Sequence, residues 1–212
     1  MPTTLTRIVL NRHHRQARDD LAYRPGLHKT MMRLLPDPQG DHPRKAGGLL
    51  FRLDPGLDPV LLVQTADTPH LAGLPDGYGD ATTHDLTPIL TGLTPHLPVR
   101  YRITAAPVVS RSATAVPHPV TGRRRGKLTP LTGPDAIAWW QRRAPSAGLH
   151  LTGPPTAAPR PFPSPRPGPY ERLTQFEGTA TISEPDLLNT AIREGVGRGK
   201  AYGAGLLTLS PA

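Results

Sequence analysis

The chain has 212 residues, a net charge of +9 and no cysteine, which excludes disulfides, thiolate catalysis and cysteine-ligated zinc. That length holds one large domain or two small ones, and with 28 prolines, 21 glycines and only 5% aromatic residues the expected core is modest and built from Leu, Val and Ala. No apolar run approaches the roughly 20 residues of a membrane span, and Arg7 interrupts the first hydrophobic stretch, so a cytoplasmic protein without a membrane partner is expected.

Of the 25 cations, all but Lys29, Lys45, Lys127 and Lys200 are arginine. Guanidinium binds phosphate bidentately, stacks on bases and stays charged, so the balance favours nucleic acid or an acidic partner. A GC-rich genome also inflates Arg, Ala, Pro and Gly, but it does not explain where the charges sit.

In chain order, Leu5–Leu10 reads as a first strand, Asn11–Arg18 as basic and polar, and Asp19–Pro25 as a junction carrying Tyr23 and Arg24. Gly26–Leu35 reads as a helix: Leu27, Met31, Leu34 and Leu35 share a face opposite Lys29 and Arg33, and Pro36 stops it. Leu49–Leu53 and Val60–Thr65 read as strands joined by the turn DPGLDP. Asp67–Gly79 reads as irregular, His84–Leu93 as a short helix, and Val99–Ala106 as a strand with Arg100 and Arg102 on one face. The resulting β-α-β-β-α-β order is that of a ferredoxin-like, RRM-like unit, although the aromatic RNP motifs are missing.

The second half is less regular. The run Arg123, Arg124, Arg125 and Lys127 reads as a hairpin-like basic tip, and Pro134–Arg143 as a helix containing Trp139 and Trp140. Segment 153–169 is proline-rich and reads as an extended linker or surface loop. Arg172–Ile182 reads as one long strand or a strand pair, followed by a helix to about Glu194 with Ser183 as its cap. The expected fold is α+β, with two tandem ferredoxin-like units, 1–96 and 97–212, the second less regular.

The tail reads EGVGRGKAYGAGLLTL. Gly197 and Gly199 flank Arg198, and Lys200 follows within the glycine-rich loop 195–205. Glycine lets a backbone approach a ligand closely, and interleaved cations suit phosphate. Lys200 is followed by Ala201, so this is no P-loop, and the order helix, loop, strand is the reverse of a dinucleotide fingerprint. That order points towards RNA. Tight packing of a loop against a sheet is the alternative reading.

Four segments together carry a resemblance: LTRIVL; RDDLAYRPGLHKTM with His28; VRYRITAAP followed by a basic loop and DAIAWWQRR; and GVGRGKAYGAGLLTLSP. In this order they resemble the CRISPR repeat-processing endoribonuclease family of type I-E systems (CasE/Cse3), a subunit of the Cascade complex. The resemblance implies two ferredoxin-like domains that bind the stem-loop of repeat RNA and cut at the stem base. It implies attack by the RNA's own 2′-hydroxyl, without metal or cofactor, giving 5′-hydroxyl and 2′,3′-cyclic phosphate ends. It also implies retention of the product and partnership with other Cascade subunits.

Such a reaction needs a proton-transfer group and stabilisation of charge on the phosphate. His28 is the candidate, since an imidazole serves as acid or base near neutrality; read from the residues alone, a boundary histidine bonded to a backbone carbonyl is the favoured reading, and the resemblance at LHKT reverses that preference. The family has a tyrosine three residues before its histidine, where this chain has Pro25; Tyr23 is the nearest substitute. Arg24, Lys29 and Arg102 are candidate RNA contacts, or solvated surface cations. A non-catalytic RNA-binding subunit and a basic ferredoxin-like protein of ribosome or tRNA metabolism are the competing readings. The histidines and carboxylates show no metal-ligand spacing.

Replacing Arg123, Arg124 and Arg125 together by Ala should flatten the slope of log affinity against log salt for a repeat hairpin by about 0.9 for each duplex phosphate that is no longer neutralised. An unchanged slope would place the stem elsewhere on the protein.

Overall fold

The structure is a computed structural model that describes residues 2–36, 40–117, 124–161 and 172–212, without the side chains of 111–117, 124, 125, 127 and 161. It begins with β1 (Thr4–Leu10), α1 (Arg15–Ala22), α2 (Arg24–Met32) and the short α3 (Pro43–Ala46). Then come β2 (Leu50–Asp54), β3 (Val60–Thr65), β4 (Gly79–Asp85) and α4 (Thr87–Thr91). The second half holds β5 (Pro98–Ala105), β6 (Val108–Pro117), β7 (Arg124–Pro130), α5 (Gly133–Arg143), β8 (Leu149–Leu151) and β9 (Thr156–Pro161). It closes with β10 (Arg172–Ile182), α6 (Pro185–Glu194) and β11 (Leu207–Pro211).

Two antiparallel sheets organise these elements, ordered β2-β3-β1-β4 and β11-β5-β10-β8, with β9 also paired to β10 and β6-β7 as a separate hairpin. Within each half the strands follow one order, with the first strand between the third and fourth. That is the ferredoxin-like arrangement. In the first sheet Ile8, Phe51, Leu61 and Val63 face Leu27 and Met31 of α2. In the second, Ile103 and Phe176 face Trp139 and Trp140 of α5 and Leu188 and Ile192 of α6. Both indoles stack on Phe176, with ring centroids at 6.2 and 5.9 Å.

Several expectations need correction. The fourth strand of the first sheet is Gly79–Asp85, which runs from the end of the stretch read as irregular, through four residues given no element, into the start of the expected helix, whereas Val99–Ala106 falls on β5 of the second sheet. The burial of β4 is only partial, so its composition GDATTHD lacks the apolar alternation of an ordinary strand. α1 was hidden because RQARDDLA buries only Ala17 and Asp20. Its buried carboxylate is satisfied by the Tyr78 hydroxyl at 2.8 Å and by Gln16 at 2.9 Å. α2 starts at Arg24 rather than Gly26, because a proline in the first turn initiates a helix at no hydrogen-bond cost. Ser183 does not cap α6; the N-cap is Glu184, without a side-chain bond. Part of the proline-rich segment, Thr156–Pro161, is a strand on the outer side of β10, an edge position that tolerates proline.

The two halves meet where β3 presents Gln64 on the face turned away from α2. Its Nε2 donates to Ile192 O at 2.9 Å and Arg193 O at 3.2 Å, among the carbonyls that the end of α6 leaves without helical partners. Gln64 is 1% exposed. Gln64→Leu should therefore cost about 1–3 kcal/mol by leaving buried carbonyls unpaired, read as a lower urea midpoint at unchanged slope. A stability equal to wild type would show that this contact does not join the halves.

Candidate active site

α2 carries His28 on the flank that meets β2. The imidazole stacks on Phe51, with centroids 6.3 Å apart and planes at 23°. Its Nδ1 is shielded from solvent and has no hydrogen-bond partner among the described residues. Burial, and then the positive charge of Arg44, hold its pKa below the ordinary 6.5. The ring is therefore neutral at pH 7 and able to accept a proton.

The glycine-rich tail closes over the same strand. β2 is the edge of its sheet, and successive residues of an edge strand point to opposite faces. The loop straddles that edge. A Cβ on Gly195 would stand 2.7 Å from Leu50 Cδ2 on one face. On the other face, a Cβ on Gly203 would stand 3.1 Å from Phe51 and 3.4 Å from Arg24 Nη1. Both have positive φ, 75° and 87°, so only glycine fits the backbone and the space together. The loop is pinned to its own half by Gly205 N donating to Thr104 O at 2.7 Å, and closed by Val196 N donating to Gly205 O at 2.9 Å. His28, Arg24 and the loop bearing Lys200 thus lie around one aromatic residue, Phe51.

Three cations feel this burial. Arg24 has its pKa pulled down to about 10 and is still charged at neutrality. Arg44, whose Nη1 donates to Leu49 O at 3.0 Å, is held below its usual value by burial. Lys200 is lowered by burial and then by the charge of Arg44, with Glu194 opposing and Lys45 adding the smallest lowering. The Lys200 ammonium donates to Glu194 O.

The remaining sequence candidates are spread more widely. Tyr23 is 45% exposed at the joint where α1 ends and α2 begins. It is the N-cap of α2 with an extended backbone (φ −138°, ψ 100°), so it stands before the helix that carries His28 rather than on its surface. Lys29 and Arg198 are exposed, and Gly197 lies beside Trp139. Gly199 adopts a left-handed conformation just before the turn Lys200–Tyr202. Arg102 is ion-paired to Glu177 at 2.8 Å and Asp54 at 3.6 Å, in a groove on the second sheet. Arg52, two residues before Asp54, donates to Arg102 O, so this network lies on the face of β2 opposite Phe51. Arg123 lies outside the described residues; Arg124, Arg125 and Lys127 lie on β7, with side chains outside them. Arg44, Lys45 and Phe51 were not singled out from sequence. The signal available was the short PRKA segment before the apolar run, which reads as loop when taken alone.

The model of the CRISPR associated protein family matches residues 4–211. The chain belongs to that family. It is 31% identical to the CRISPR-associated endoribonuclease Cse3 of Thermus thermophilus, covering 98% of this chain and 99% of the relative. Thermus thermophilus Cse3 bound to an RNA representing a pre-cleavage complex superposes with a TM-score of 0.81 at 30% identity, over 100% of both chains. A chain of a CRISPR RNA-guided surveillance complex in a pre-nicking state matches at 31% identity and TM-score 0.65, over 99% of this chain and 100% of that one. Within this CRISPR-associated family the likeness runs through both halves of the chain.

The His28 midpoint offers a direct check. Burial remains when Arg44 is replaced, but the repulsion of the imidazolium goes. Arg44→Gln should therefore raise the NMR titration midpoint of His28 without reaching 6.5. A fall, or no change, would remove Arg44 from the vicinity. Because the folded state resists protonation, stability linked to His28 is complete above about 6.5 and declines as pH falls through the lower folded midpoint.

Proposed function

We propose that this chain is an endoribonuclease that binds the stem-loop of CRISPR repeat RNA, cuts at the stem base and stays with the product among other Cascade subunits, in the cytoplasm. The observation that carries the proposal is the convergence of His28 and the Lys200 loop on Phe51 from opposite ends of the chain. The relatives with the same architecture bind RNA, and one of them is named an endoribonuclease.

In the proposed reaction the neutral His28 takes the proton of the 2′-hydroxyl beside the scissile phosphate. The 2′-oxygen attacks phosphorus, the P–O5′ bond breaks, the 5′-oxygen takes a proton from solvent, and the imidazolium returns its proton to solvent. The products are a 2′,3′-cyclic phosphate and a 5′-hydroxyl, so atoms and charge balance without an outside reactant. Arg24 and Arg44, fixed and partly desolvated, stabilise negative charge developing on the phosphate oxygens. Lys200, and Lys29 and Arg198 at the rim, hold the RNA backbone. Tyr23 and the basic stretch Arg123–Lys127 would reach RNA further along the stem.

His28→Ala should lower single-turnover cleavage of a repeat hairpin by about 10²–10⁴-fold, with affinity changed only a few-fold and EDTA without effect on the wild type. In the wild type the rate should fall as pH drops through the His28 midpoint, because the imidazolium cannot accept the proton. Cleavage by His28→Ala at the wild-type rate would contradict the assignment. Binding without cleavage by the wild type would instead identify a non-catalytic RNA-holding subunit.

A further inference from the structure

Next to the His28 site, on the Leu50 side of β2, lies a cavity of about 180 Å³ lined by Arg44, Lys45, Gly48, Leu50, Arg193, Glu194 and Lys200. Four of these seven residues are cations and one is an acid. Among the described residues, no carboxylate lies within ion-pairing distance of Arg44, Lys45 or Lys200. Arg193 is held in place by donating to Asn189 Oδ1 at 2.6 Å and to Thr3 Oγ1. The carbonyls at the end of α6, which would repel an anion, already accept from Gln64 and Lys200. The elements that build the wall come from both halves of the chain: α3 and β2 from the first, α6 and the glycine loop from the second.

Four cations share this wall with one carboxylate, Glu194, and the Lys200 ammonium is held below its ordinary pKa first by burial and then by the Arg44 charge, which Glu194 only partly offsets. A volume that would hold about six waters at ~30 Å³ each accommodates a phosphate group and part of its shell. Arg44 belongs to both places, since its charge acts on His28 and on Lys200. Arg44 and Lys200 line this cavity, and the loop bearing Lys200 packs on Phe51 through Gly203, so a strand bound at His28 would pass beside it.

We infer that the cavity between α3, β2 and α6 is a second phosphate subsite, which grips one backbone phosphate of the RNA strand flanking the cut through Lys45 and Lys200. This rests on the endoribonuclease reading above. Its action is to hold the flanking strand so that the scissile linkage is fixed at His28. It needs charge and position, not base identity, so it reads no sequence.

The test uses repeat hairpins with a 2′-deoxy nucleotide at the cut, which bind without reacting, and neutral methylphosphonates placed singly at each flanking linkage. For the wild type, one non-scissile position should weaken binding about five- to ten-fold. Lys45→Gln with Lys200→Gln should weaken the all-phosphate RNA similarly and lose the sensitivity at that position. Its salt slope should fall by about 0.7 if that strand is single. Lys45→Arg with Lys200→Arg should restore affinity, which a purely structural role of the lysines would not predict. If every methylphosphonate affects wild type and variant equally, or the slope is unchanged, the subsite is wrong. The cleavage reading is decided separately, on all-ribose RNA. A wild type that cuts but shows no sensitive flanking phosphate overturns the subsite alone. One that binds, shows the sensitive position and does not cut overturns the endonuclease alone. A wild type that does not bind overturns both.

Discussion

The site depends on a loop from the end of the chain gripping the edge strand of the first sheet from both faces. Leu50 and Phe51 are consecutive, so pleating sends one side chain to each side of β2. Gly195 lies against the first and Gly203 against the second. An added Cβ would crowd Leu50 at the first and Phe51 at the second, and positive φ at both makes an L-residue unfavourable even with space, by roughly 1–2 kcal/mol. The glycines are thus the means by which the second half reaches the helix that carries His28. The pin from Gly205 N to Thr104 O and the Gln64 bonds to the end of α6 keep that reach fixed.

The electrostatics follow from the closure. Covering Phe51 and β2 removes water from His28, Arg24, Arg44 and Lys200 together. Desolvation is the leading cause of the downward shift in each. For the histidine, this yields a base that is neutral at physiological pH. For the cations it leaves charges still present and little hydrated, the condition under which they interact strongly with phosphate.

Much of this was legible in the sequence, for particular reasons. Leu27 and Met31 recur at helical spacing, so the face of α2 could be read, and with it the border position of His28. The glycine and cation pattern of the tail stood out because few folds need so many glycines in so short a stretch. The parts that were hidden lack apolar periodicity. α1 is held by a buried carboxylate and its hydroxyl and amide partners, β4 is threonine-rich and partly exposed, and β9 is an edge strand that keeps its prolines. Arg44 and Lys45 could not be placed from sequence because their position arises from folding: β2 brings α3 beside a loop some 150 residues later in the chain. Arg102 shows the reverse case, a cation on a legible strand face whose partners, Glu177 and Asp54, come from distant strands.

The most direct measurement compares single-turnover cleavage by Gly203→Ala and Gly77→Ala. Both glycines have positive φ, 87° and 74°, but a Cβ at Gly77 meets open space, whereas one at Gly203 meets Phe51 and Arg24. Both variants carry the backbone strain, and only the first lifts the loop from the histidine's aromatic support. Cleavage at least ten-fold slower in Gly203→Ala, with Gly77→Ala within two-fold of wild type, is the predicted result. Equal rates in the two variants, both folded, would mean that the loop does not complete the site.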